Sequence, residues 1–135
     1  MSAVTRDLTK AWLQVLNTTL AGMATPRAAY EWDKAPRSGA DYAVLRVERT
    51  VGGSASLDGV LATQTWRLVV GATGKGRGNA EALLDKAVEA LEYALVTVAG
   101  RETTGAMFDG VDTDPEPDED DTSLFYGEVG FTFAY

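Results

Sequence analysis

The chain contains no cysteine and no histidine. Without cysteine there is no disulfide framework, no zinc–thiolate site and no thiol nucleophile. Without histidine the usual general base at neutral pH and the commonest metal ligand are missing, along with every Ser-His or Cys-His pair. Both absences lower the expectation of hydrolase or metalloenzyme chemistry, and the sequence points to no catalytic residue, no cofactor and no metal. No run of eighteen apolar residues occurs, so no membrane-spanning helix is expected.

What is present is ordinary globular material: 135 residues, 45% hydrophobic and 24% charged types, enough for a single domain over 1–135. The formal charge of −8 is unevenly distributed. Asp109, Asp112, Asp114, Glu116, Asp118, Glu119, Asp120 and Asp121 place eight acids within thirteen residues, leaving twelve acids and twelve bases elsewhere. No net positive field draws a polyanion to this chain. Segment 109–121 reads as an exposed acidic loop, and Pro115 and Pro117 argue against regular structure there.

Val4, Leu8, Ala11, Trp12, Val15, Leu16, Leu20 and Met23 recur at spacings of three and four, one apolar stripe on a helix of about 18 residues. Arg6 and Lys10 ahead of it imitate a secretory signal, but Gln14, Asn17, Thr18 and Thr19 break the apolar core, so a helix of the mature protein is expected. Asp41–Val51 alternates as a half-buried strand, and Leu61–Val70 is a second one, pairing with the first as an antiparallel hairpin across the Gly52–Gly59 loop. Gly71–Gly78 reads as a glycine-rich loop. Asn79 is a plausible N-cap for a second helix, whose stripe runs from Leu83 to Val98 with Gly100 as its stop. A short strand is expected near Ala106-Met107-Phe108. Ser123–Tyr135 alternates to the last residue, with Phe125, Val129, Phe131, Phe133 and Tyr135 on one face. The order implies an α+β fold: a mostly antiparallel sheet of four to five strands with two helices packed on one face.

Several motifs suggest chemistry and fail on spacing. The Gly71–Gly78 segment joins a strand to a helix and carries Lys75 and Arg77, as a phosphate-binding turn would. Its glycines give neither a Walker A motif nor G-x-G-x-x-G, so a small anion-binding module is an alternative only. Asp112-x-Asp114-x-Glu116 starts like a calcium loop, yet Pro117 takes the position that needs glycine. Ser54 and Ser56 lie in a Gly-Gly-Ser-Ala-Ser stretch that is not a nucleophile elbow. Trp12 and Trp66 fall on core stripes. Trp32 is a candidate interface anchor, because tryptophan is favoured where one side stays partly polar.

Three segments together resemble the tail terminator proteins of long-tailed bacteriophages, minor tail proteins at the top of the tube. One is the N-terminal helix followed by Ala29-Tyr30-Glu31-Trp32-Asp33-Lys34-Ala35-Pro36 and the strand Asp41-Tyr42-Ala43-Val44-Leu45. Another is Thr65-Trp66-Arg67-Leu68-Val69-Val70-Gly71 with the helix Ala80–Leu91 after it. The last is Asp121–Tyr135. The acidic segment stands outside that pattern. The resemblance implies a subunit of a homohexameric ring that caps the tail tube, stops its elongation and meets the head connector. Its partners would be copies of itself, the tail tube protein and the head–tail connector protein, with DNA passing through unbound. Its place would be the head-proximal end of the virion tail, after assembly in the host cytoplasm. A head-closure or tail-completion connector is the near alternative. Lys75, Arg77, Trp32, Asp118, Glu119, Asp120 and Asp121 are the expected contact residues. Lys75 and Arg77 of one subunit would meet Asp118–Asp121 of the next, or the whole acidic segment Asp109–Asp121 would lie near the lumen and repel DNA.

Overall fold

A computed structural model describes residues 2–36, 39–50 and 64–135, apart from the side chains at 111 and 112. The Gly52–Gly59 loop with Ser54 and Ser56 lies outside the described residues. Helix α1 spans Ala3–Ala21 and begins where the Ser2 hydroxyl accepts the Thr5 N–H at 3.1 Å. Its stripe is the centre of the core: Leu8, Trp12, Leu16 and Leu20 are all fully buried. Strand β1 is Ala29–Glu31, followed by a single 3-10 turn at Trp32–Lys34 and by β2 at Tyr42–Arg49. Strand β3 is Thr65–Lys75 and helix α2 is Arg77–Leu91. A small hairpin of β4, Thr97–Val98, and β5, Arg101–Glu102, precedes β6, Met107–Pro117, and β7, Leu124–Ala134.

The main sheet has five strands in the order β1-β2-β3-β7-β6. All its neighbours are antiparallel except β1 with β2. Both helices pack on one face, α1 over β1 and β2, α2 over β3, β7 and β6. The α+β expectation and its strand number hold. So does the β2–β3 pairing, with Leu45 opposite Val70 and Val47 opposite Leu68. The core face gathers Trp66, Leu68 and Val70 of β3 with Val129, Phe131 and Phe133 of β7 beneath the helices. Trp12 contacts Phe133 at 5.2 Å between ring centroids, and Trp66 stacks on Phe133 at 6.5 Å.

Four expectations need correction. Gly71–Gly78 is not a loop, because β3 runs through Gly71 and Gly74 to Lys75 and the helix starts two residues later. A Cβ at Gly74 would collide with the backbone of Ala80, so this glycine lets the first turn of α2 press directly on the strand. The N-cap is Gly76, at φ 92°, and Asn79 lies inside the helix. Helix α2 ends at Leu91, and Tyr93 turns the chain at φ 64°, leaving Leu95 exposed and Val98 in β4. Gly100, at φ 76°, therefore turns the β4–β5 hairpin and stops no helix.

The fourth correction concerns segment 109–121, which is strand for most of its length. Strand β6 carries Pro115 and Pro117 at the edge of the sheet, where a missing N–H breaks no ladder on the open side. Its pairing with β7 slips between Phe108 and Gly110, between Val111 and Thr113, and between Thr113 and Glu116. Gly110, at φ 120°, belongs to the first slip.

Candidate interaction surfaces

The helix-free face of the sheet carries polar and aromatic side chains laid flat. On it Trp32 packs under the Arg46 guanidinium, 4.1 Å from the ring centroid, and meets the edge of Tyr126 at 6.3 Å. Arg46 also bonds Glu48 at 2.6 Å and reaches Glu128 at 3.7 Å. Tyr126 lies across Gly71, where a Cβ would strike its ring. Burial first, and the Glu128 carboxylate beside it, push the Tyr126 phenol well above its ordinary value. Further along, Arg67 lies over Gly130 and forms a fork on Asp109, with N–O distances of 3.2 and 3.3 Å. Thr132 donates its hydroxyl to the same carboxylate at 2.9 Å. The Arg67 hydrogen bond is the main cause holding the Asp109 carboxyl below the usual range.

A second region is the corner where β3 passes into α2 and β6 turns into β7. The Lys75 N–H donates to Asp41 Oδ1 at 3.0 Å, and the Gly76 N–H donates to the Ser123 carbonyl at 3.0 Å. Arg77 covers the Phe125 ring at 5.3 Å. Asp118 Oδ1 accepts the Asp120 N–H at 2.8 Å and the Asp121 N–H at 3.4 Å, folding the turn on itself. Asp121 accepts the Ser123 hydroxyl at 2.6 Å. That bond chiefly lowers its pKa, and the charge of Lys75 adds a smaller pull. Glu119 and Asp120 point into solvent.

The structure thus brings Lys75, Arg77 and the Asp118–Asp121 turn together within one chain and places Trp32 apart on the open sheet face. The Lys75 and Gly76 amides just ahead of α2 are engaged by Asp41 and Ser123, and the Asp41 and Asp121 carboxylates border Lys75. An anion would enter a negative field there, which disfavours the anion-module reading. Among the described residues no group of three or more acids is arranged to hold a metal ion. Sequence reasoning did not single out Arg46, Arg67, Tyr126 and Glu128 as contact residues. Their signal was the second register of β2, β3 and β7, the positions alternating with the core face.

The described residues define an α+β protein with one sheet face covered by helices and the other left to polar and aromatic side chains. No family model and no curated protein sequence matches the chain. Among solved structures, a chain from the virion of a native gene transfer agent particle has the same fold, with a TM-score of 0.71 over 99% of this chain and 98% of that one, at 17% identity.

Proposed function

We propose that this protein is a structural subunit of a virion, and within that class a tail terminator that forms a ring, caps the tail tube and presents its other side to the head connector. The observation that carries the reading is the end-to-end fold likeness to a virion component, with nearly all of both chains aligned. It agrees with the three resembling segments, which coincide with α1 to β2, β3 to α2, and β7. The open sheet face and the charged corner supply surfaces for neighbours, and the residue inventory favours contact over bond-making. In this reading Trp32, Lys75, Arg77, Asp118, Glu119, Asp120 and Asp121 are contact residues of the assembled ring or its virion neighbours.

The test adds purified protein to polymerising tail tube protein from the same phage and measures tube lengths by electron microscopy. Rings at tube ends and a shortened length distribution are the expected result. Tubes that grow unchanged, with no density added at their ends, overturn the terminator role. Binding to the head-side connector alone would instead favour the head-closure alternative.

A further inference from the structure

At the β6 edge of the sheet, α2 packs on the last strand but leaves part of it uncovered. The uncovered space is a groove of about 260 Å³ floored by Leu84, Val88, Phe108 and Val129. Glu81, Asp85 and Asp114 rim it with negative charge, and none of the three has an ion-pair partner among the described residues. Phe108 is 37% exposed although its ring packs on Phe131 at 5.7 Å. The apolar surface continues past the end of α2, where the Tyr93 N–H donates to Ala106 at 2.7 Å and the Tyr93 side chain stays 68% exposed.

The opposite flank has the opposite character. Helix α1 lies over β1 and β2, at the other end of the strand order. Its first turns expose Val4, Arg6 and Lys10, with Asp7 the sole acid of the helix. Neither base has an ion-pair partner among the described residues. A basic helix with an exposed apolar residue on one flank and an acidic apolar groove on the other are complementary but not identical surfaces. Identical surfaces would pair two copies and stop; complementary ones on opposite flanks join head to tail and continue until the circle closes.

We infer that the α2–β6 groove of one copy receives the N-terminal half of α1 from the next, Arg6 and Lys10 meeting Glu81, Asp85 and Asp114. The inference rests on the ring reading and supplies its subunit contact. The charges set register and exclude wrong partners, while Phe108 and the groove floor take apolar surface out of water.

Two charge-reversed proteins test it. One carries Glu81→Lys and Asp85→Lys, the other Arg6→Glu and Lys10→Glu. All four positions are exposed, and circular dichroism checks that each protein folds. By light scattering at low salt, each alone should need on the order of tenfold or more higher concentration to reach the wild-type mass. Mixed in equal amounts they should recover that mass, because each groove then meets an α1 of opposite charge. A single chain with all four substitutions should also assemble, and it keeps the test alive if one reversed protein fails to fold. A wild-type ring whose variants all still assemble overturns this contact and leaves the ring standing. If only the groove variant dissociates and the mixture stays apart, the groove has another occupant. A wild-type protein that remains monomeric at every concentration overturns both the contact and the ring.

Discussion

Two glycines in β3 are required for different reasons, and the difference is measurable. Gly74 faces the backbone of Ala80, so an added methyl can be accepted only by moving the start of α2 away from the strand. Gly71 faces the Tyr126 ring, which can swing outward. Gly74→Ala should therefore cost about 3 kcal/mol, near the upper end for overpacking, and Gly71→Ala about 1 kcal/mol. Urea unfolding gives both values. Equal costs would mean that the Tyr126 ring is held as firmly as backbone. Asp109 makes a separate prediction with pH. Its folded pKa is lowered from 3.8, mainly by Arg67, so its contribution is complete above that unfolded value and fades as pH falls through the lower folded one. The site is partly exposed, so Asp109→Asn should cost at most about 1 kcal/mol at neutral pH. The gap between variant and parent should narrow as pH falls below the ordinary aspartate range and close in stronger acid, in denaturation curves taken across that range.

The sheet ends in two edges guarded in different ways. At β1 the Asn17 side chain acts as a short strand: it accepts the Ala29 N–H at 2.7 Å and donates to the Ala29 carbonyl at 3.1 Å. Asn17→Ala strands both groups and should cost about 1–3 kcal/mol, while Asn17→Asp keeps the acceptor and should cost less. Amide exchange at Ala29 in the two variants separates loss of this cap from a general loosening. At β6 the guard is sequence chemistry, with bulges, two prolines and acids, the usual ways of keeping an edge strand from pairing with a stranger. These guards are also what made β6 hard to read. Proline and acid runs resemble loops by composition, and only the position at an edge makes them compatible with a strand. The same limit explains Gly71 and Gly74, which look like loop glycines until the helix and the tyrosine that press on them are known. Elements with strict period were legible: α1 from its stripe, β2 and β7 from alternation. The end of α2 was not, since Leu95 and Val98 continue the spacing while Tyr93 breaks the helix through a backbone angle that spacing does not encode. Trp32 was legible as a half-polar aromatic, but its partners Arg46 and Tyr126 come from strands distant in sequence.

For the molecule as a whole, the net charge of −8 divides by role. Asp109 is tied to Arg67, Asp118 and Asp121 hold their own turn, and Asp114 rims the groove. Glu116 near the end of β6, and Glu119 and Asp120 in the turn after it, are left exposed. If the ring surrounds a DNA path and this end faces it, these three act at a distance, repelling phosphate through solvent. Replacing them by Gln, Gln and Asn should then leave the thermal midpoint within a few degrees of the parent, since exposed substitutions away from such features fall within about 0.5 kcal/mol. The same variant should bind DNA more tightly at low salt, and the difference should shrink toward zero as salt rises past the screening range. Asp118→Asn and Asp121→Asn are the contrast. They weaken acceptors of the turn's own amides, so they should lower the midpoint more than they change DNA affinity. Fluorescence anisotropy with short duplex DNA across a salt series, beside thermal melts of both sets, reads out the two effects. A triple variant with unchanged DNA affinity at low salt would put these acids away from the lumen, and their charge would then have to act on a protein neighbour instead.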